Sequence, residues 1–163
     1  MIQRTVVLHK PDAVARGLIG RLTAALEDKG LVLVGCKMMR LDDALLADHY
    51  SHLSDKPFFP RLVSFMTQLP VVVQCWEGVD VVDVVRSIVG VTNGREAAPG
   101  SLRGLYSTSV QANLIHASDS PEGADAELRR FFEAGELFAY DHPLARFLNS
   151  DDERCFTHQE ATC

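Results

Sequence analysis

Asn113-Leu-Ile-His-Ala-Ser-Asp-Ser-Pro-Glu122 is the stretch on which the fold turns. Leu114 and Ile115 run apolar into a lone His116, which reads as a short strand. Small polar residues follow, and then a helix start. Ser120 suits the N-cap, Pro121 the first helical position, and Glu122 complements the positive end of the helix dipole. His116 is therefore offered at the end of a strand, just before a helix N-terminus, a place to present a nucleophile to an anion. The helix over residues 120–133 turns Ala124, Leu128, Phe131 and Phe132 inward. Glu127 flanks that buried face and can reach back toward His116.

The same alternation of strand and helix runs upstream. Residues 5–9 are β-branched and apolar and read as a strand. Lys10-Pro11-Asp12 ends it, and Pro11 holds Lys10 extended at a fixed position where its ammonium can meet a phosphate. A helix opening at Arg16-Gly17 carries Leu18, Ile19, Leu22, Ala25 and Leu26 on one face, with Gly30 as its stop. Residues 31–39 form a second strand. Asp42-Asp43 caps a helix over residues 44–53, and a short helix follows through Leu62, Phe65 and Met66, with Phe58 and Phe59 at its entry. Residues 70–76 make a third strand, apolar almost throughout and so central in the sheet, with Glu77-Gly78 as its turn. Asp80 then caps a helix whose stripe is Val81, Val84, Val85 and Ile88, with Arg86 off the stripe. Residues 93–103 are the longest loop of the body, bracketed by Arg86, Thr92 and Arg103, a set able to grip a polyphosphate. Taken singly, each of those side chains reads as an ordinary solvent-facing group; Phe58 and Phe59, beside the helix that carries Tyr50, could form an aromatic lip for a nucleobase but read more simply as core.

This order specifies an α+β sandwich: a ferredoxin-like βαββαβ arrangement with a four-stranded antiparallel sheet, surrounding helices, and the helices of its two βαβ units packed on one face. The domain occupies residues 1–140. Residues 141–163 form a C-terminal extension in which the pattern fades, expected to lie loose or against a neighbouring subunit.

The chain has 163 residues, 47% of them hydrophobic, enough for one compact domain. Its net charge of -6, with Arg129-Arg130 the only adjacent basic pair, argues against nucleic acid as the main partner. Cys36, Cys75, Cys155 and Cys163 include no Cys-x-x-Cys pair, so a zinc-ribbon site is not expected. Cys36 and Cys75 sit in strand-like runs and read as core thiols. No signal peptide or membrane span is legible, so the expected location is cytoplasmic. The Gly-rich P-loop of Walker-type kinases is missing.

With these residues in place, the chain resembles the nucleoside diphosphate kinase family. The likeness runs from Thr5 to about Tyr140. It rests on Lys10-Pro-Asp, Arg16-Gly17-Leu18, His49-Tyr50 with Lys56-Pro-Phe-Phe, Trp76-Glu-Gly, Gly90-Val-Thr-Asn, Pro99-Gly-Ser-Leu-Arg103-Gly and the His116 stretch, all in the family's order.

The resemblance implies transfer of the terminal phosphate of a nucleoside triphosphate, typically ATP, to a nucleoside diphosphate, by a ping-pong route through phosphohistidine on His116. It makes Glu127 and Ser118 the groups that orient the His116 ring. It assigns Lys10, Tyr50, Arg86, Thr92, Arg103 and Asn113 to the phosphates, the sugar or the reacting group. Phe58, Leu62 and Val110 then hold the base, and stacking on a π-face implies broad base tolerance. The cofactor implied is Mg²⁺, carried mainly by the nucleotide's phosphates, with no metal ligands from the protein. The partners implied are nucleoside di- and triphosphates and further copies of the chain in a homo-oligomer, with no membrane. The sequence departs from the family at Gly94, where Pro is usual in a loop that joins subunits of hexameric members, and at Gln111-Ala112, where Gly-Arg is common, so the number of subunits stays open. A ferredoxin-like RNA-binding module would want a basic surface, and a silent scaffold would usually have lost the His or an Arg; this chain shows neither.

Overall fold

The computed structural model describes residues 2–140 and 145–154. Four strands, β1 (Ile2–His9), β2 (Val32–Met39), β3 (Val71–Val79) and β4 (Ile115–Ala117), form one sheet in the order β2-β3-β1-β4. Every pairing is antiparallel; β3 is central, as its apolar run indicated, and β1 is the other central strand. This is the ferredoxin-like α+β arrangement.

Helices cover both faces of the sheet. Side chains alternate across a strand. Val7 and Trp76 therefore enter a core with Leu22 and Leu26 of α2 (Ile19–Asp28) and with Val81, Val85 and Val89 of α5 (Val81–Val89). Val6, Leu8, Val73 and Cys75 enter the opposite core. There they meet Leu46 of α3 (Asp43–His49), Met66 of α4 (Phe59–Met66) and Phe131 of α7 (Pro121–Phe131). The two βαβ helices do share one face; the remaining helices close the other. Trp76 is fully buried, and its indole N–H donates to Gln74 Oε1 at 3.1 Å, so its polar tip is satisfied.

Several boundaries differ from the sequence reading. Pro11 stops β1 but also starts a five-residue helix, α1 (Pro11–Ala15). β3 does not turn at Glu77-Gly78. It continues to Val79 because Arg4 Nε donates to Glu77 Oε2 at 2.8 Å across the ladder, and because Gly78 leaves room for the Leu31 side chain. Asp80 enters α5 through a left-handed backbone (φ 47) and makes no side-chain cap. The α5 stripe is rotated from the expected one, with Val82 and Val89 buried and Val84 and Ile88 only partly so. The helix expected over residues 44–53 is α3, which ends at His49, followed by a 3-10 turn at Ser51–Leu53. Arg103 lies not in a loop but in α6 (Leu102–Tyr106), capped by Ser101, whose Oγ accepts from Gly104 N. Cys75 is buried, but Cys36 is exposed: the register of edge strand β2 shifts between Leu33 and Gly35, and Cys36 and Met38 then face outward.

Gly94 has a local reason. A Cβ there would lie 2.4 Å from Ser107 O, and its own N–H donates to Ser109 O at 3.1 Å, a bond that Pro cannot make. Of the C-terminal extension, α8 (Ala145–Leu148) and a 3-10 turn at Asp151–Arg154 are described, and the Leu148 side chain sits against Gly30 of the same chain. Cys155 and Cys163 lie outside the described residues. No helix among the described residues is long and apolar enough to cross a membrane.

Candidate active site

The site is assembled where the end of β1 lies beside the start of β4. Lys10 follows β1, and its backbone N–H donates to Leu114 O at 2.8 Å. Its ammonium donates to Asn113 Oδ1 at 2.6 Å. Asp12, in the first turn of α1, accepts the Leu114 N–H on Oδ2 at 3.0 Å. Leu114 needs that anchor, since its φ of 72 is a left-handed conformation that a branched side chain disfavours. Lys10-Pro11-Asp12 and Asn113-Leu114 thus form one staple, and His116 leaves it at a fixed angle.

His116 is the middle residue of β4. Its Nε2 lies 2.8 Å from Glu127 Oε1. Ser118, just past the strand, donates to Glu127 Oε2 at 2.6 Å and accepts the Val6 N–H at 3.0 Å. The helix that carries Glu127 starts as the sequence indicated: Ser120 Oγ accepts from Gly123 N at 3.0 Å, with Pro121 at the first position. Burial pushes the Glu127 carboxyl up, but the hydrogen bonds from His116 and Ser118 and the nearby His49 outweigh it. The carboxyl stays below its usual range and is ionised at neutral pH. An ionised acceptor requires Nε2 to be the protonated ring nitrogen, which leaves the lone pair on Nδ1.

His116 faces a cavity of about 720 Å³. The structure gathers on its walls every residue the sequence singled out for nucleotide contact: Lys10, Tyr50, Phe58, Leu62, Arg86, Thr92, Arg103, Val110 and Asn113. Glu127 and Ser118 stand behind His116 rather than on the wall. Four lining residues are cationic (Lys10, Arg61, Arg86 and Arg103) against one carboxylate, Asp119, so this is a positive pocket in an acidic protein. Such a lining concentrates polyanions.

Lys10, Arg86 and Arg103 are each held in place. Arg103 donates from Nε to Asn113 O, from one terminal nitrogen to Gly90 O at 2.8 Å and from the other to Ile115 O at 2.6 Å. Three of its five N–H groups fix its position, and two remain for a ligand. Burial and then Arg86 bring the Arg103 pKa down to about 10. Burial and the Arg103 charge bring Lys10 down to about 8, against a small upward pull from Asp12. Tyr50 is raised by burial and by Glu127, so it remains a hydroxyl donor. Arg86 is ion-paired to Asp119 across the cavity.

At the outer end Phe58 is 43% exposed and Val110 52% exposed, with Leu62 between solvent and core. Large apolar groups left open on a cavity lining suit a flat ring. Gln111 Nε2 donates to Arg61 O at 3.3 Å and ties this loop to α4. No lining side chain other than Asp119 offers a carboxylate to a hard cation.

Sequence reasoning left three residues of this neighbourhood without a role. Asp12 was legible in Lys10-Pro11-Asp12, and Asp119 in the His116 stretch. His49 was visible in the His49-Tyr50 motif and at helical spacing. It is buried, its ring lies 4.7 Å from that of His116, and its Nδ1 is 3.7 Å from Glu127 Oε1. His49, His116 and Glu127 are the group among the described residues able to hold a metal ion.

Comparison with known proteins agrees with this geometry. The family profile described as Nucleoside diphosphate kinase matches residues 3–137. A nucleoside diphosphate kinase of Parabacteroides distasonis is 52% identical over 93% of this chain and 99% of its own length. One of Rhodopirellula baltica is 48% identical over 93% and 100%. Among solved structures, a halophilic nucleoside diphosphate kinase from Halobacterium salinarum in complex with CDP superposes with a TM-score of 0.89 at 45% identity, covering 91% of this chain and 99% of that one.

Proposed function

The chain belongs to the nucleoside diphosphate kinase family of phosphotransferases, and from that premise we propose that it moves the γ-phosphate of ATP, or another nucleoside triphosphate, onto nucleoside diphosphates through a phosphohistidine at His116. One observation carries the reading: His116 stands in a cationic cavity with Nε2 engaged by ionised Glu127, so Nδ1 is the free nucleophile.

In the first half-reaction Nδ1 attacks the γ-phosphorus, the bond from that phosphorus to the β–γ bridging oxygen breaks, and the diphosphate leaves. Glu127 retains the Nε2–H and stabilises the positive charge that grows on the ring. Ser118 holds the other Glu127 oxygen, so the carboxylate cannot turn away. In the second half an acceptor diphosphate takes the same place and its terminal oxygen reclaims the phosphoryl group. Because the two nucleotides use one site in turn, a single cavity is sufficient.

Phosphoryl transfer gains most from alignment and from cations around the moving oxygens. Lys10, Arg86 and the two unused N–H groups of Arg103 supply the cations, and the Tyr50 and Thr92 hydroxyls supply neutral donors. Mg²⁺ fits this site as a rider on the nucleotide, since Asp119 is the only lining carboxylate; when bound it neutralises phosphate charge. Phe58, Leu62 and Val110 grip the base by its faces, and the assigned set has no polar group for a base edge. Broad tolerance follows, and with it a role in balancing cytoplasmic triphosphate pools. Residues 1–140 carry this activity, and the extension from 141 onward serves contacts between copies of the chain in a homo-oligomer.

Steady-state kinetics test the route. Initial rates with ATP and dTDP varied together should give parallel double-reciprocal lines, and CDP, GDP and dTDP should all be accepted. Intersecting lines would mean that both nucleotides bind at once, which one cavity does not allow.

A further inference from the structure

His49 is not explained by phosphoryl transfer. Its side chain is 2% exposed, and neither ring nitrogen has a hydrogen-bond partner. Its packing is edge-on against Tyr50 at 4.3 Å, His116 at 4.7 Å and Phe131 at 5.1 Å, contacts that a phenyl ring would make equally well. A buried polar ring without partners asks for a reason. One potential donor atom from each of His49, His116 and Glu127 lies within 4.8 Å of the other two.

We propose that His49, His116 and Glu127 form an inhibitory site for Zn²⁺ that closes when His116 is unphosphorylated, an inference that rests on His116 being the phosphoryl acceptor. Two imidazoles and one carboxylate with an open fourth position are a zinc ligand set. Ligand atoms around a tetrahedral zinc lie roughly 3.3 Å apart, given bonds of about 2.0–2.1 Å. The separations of 2.8 Å (His116 Nε2 to Glu127 Oε1) and 3.7 Å (His49 Nδ1 to Glu127 Oε1) bracket that value. The remaining separation, between the two rings, is at most 4.8 Å, so they need to turn toward each other to complete the set. Entry is by way of the cavity that His116 lines.

The inhibition follows from one proton. In the active tautomer His116 carries its N–H on Nε2. Zinc bonding to the Nε2 lone pair displaces that proton, and the neutral ring keeps it on Nδ1. The nucleophilic lone pair is then consumed, with no net proton released. Phosphorylation opposes the metal in turn: attack by Nδ1 leaves the ring a cation with its proton on Nε2, held by Glu127, and zinc must displace that proton to bind. Zinc and phosphate therefore compete for one ring. Mg²⁺, hard and oxygen-seeking, does not select this donor set.

The test titrates nucleotide-free protein with Co²⁺, a coloured stand-in for Zn²⁺, and measures labelling by γ-labelled MgATP after preincubation with Zn²⁺. Wild type should bind one Co²⁺ with the strong visible bands of a low-coordinate site, and Zn²⁺ should slow its first-turnover labelling at least tenfold. His49→Phe, which keeps the edge packing, and His49→Gln should lose the Co²⁺ bands, and Zn²⁺ should slow them less than threefold relative to their own zinc-free rates. Prephosphorylated wild type should bind Co²⁺ more weakly than the unphosphorylated protein, and Cys36→Ser should behave as wild type. Equal inhibition of the His49 variants, or equal Co²⁺ binding by the phosphorylated protein, overturns the proposal. If zinc-free wild type takes no label, the phosphohistidine reading fails instead, while the Co²⁺ titration still decides the site.

Discussion

Lys10 sets a trade between stability and function that can be measured. It is only 7% exposed, and burial together with Arg103 holds its pKa at about 8 instead of 10.5. Below pH 8 the lysine is charged in both folded and unfolded chains, and the fold bears the full penalty, on the order of 3 kcal/mol at about 1.4 kcal/mol per pH unit. Between pH 8 and 10.5 the folded chain has released the proton and the unfolded chain still holds it, so stability rises with pH. Replacing Lys10 with Met removes this dependence. The bond to Asn113 Oδ1 is lost in the variant at every pH and drops out of the comparison. Urea unfolding of both proteins at several pH values should show wild type gaining about 2 kcal/mol on Lys10→Met from pH 7 to pH 10. Wild-type kcat/KM should fall above pH 8 as the ammonium that meets phosphate is discharged. A stability difference that stays constant with pH, or falls as pH rises, refutes the claim that Lys10 is a strained buried cation.

Three further outcomes follow from the same structure. Ser118→Ala leaves one Glu127 oxygen and the Val6 N–H without partners, so unfolding free energy should drop by about 1–3 kcal/mol and kcat/KM by about tenfold; chemical denaturation and initial rates check both. His9 is buried, neutral and held down to about 4 by burial, so the fold loses stability as pH falls from 6.5 toward 4 while the unfolded chain takes up the proton. His9→Leu should remove about 2 kcal/mol of that loss at pH 4.5, seen as a smaller shift of the urea midpoint between pH 7 and 4.5. Phe58→Ala should raise KM for GDP, CDP and dTDP alike, about tenfold for a stacking loss of roughly 1–3 kcal/mol, and a large effect on one base alone would contradict face-on recognition.

The sequence carried most of the site because its residues sit in short motifs, each confined to one turn or strand end. Ser120-Pro121 announced α7, and the apolar run of residues 70–76 named β3 as a central strand. What it could not show depends on distant partners. β3 passes through Glu77-Gly78 because of Arg4, 73 residues away. Cys36 is exposed because a register shift in an edge strand turns it outward. Asp12 was visible as part of a motif, but its task of pinning left-handed Leu114 needed β1 and β4 side by side.

The most direct test of the central claim is a single turnover. Purified protein would be mixed with γ-labelled ATP and Mg²⁺ without acceptor, beside His116→Ala, and the modified ring read by phosphorus and nitrogen magnetic resonance. The account predicts acid-labile, base-stable label on wild type only, attached to Nδ1 of His116 and discharged by GDP, CDP and dTDP. Label that survives in His116→Ala, or a phosphoryl group on Nε2 where Glu127 now sits, would contradict it.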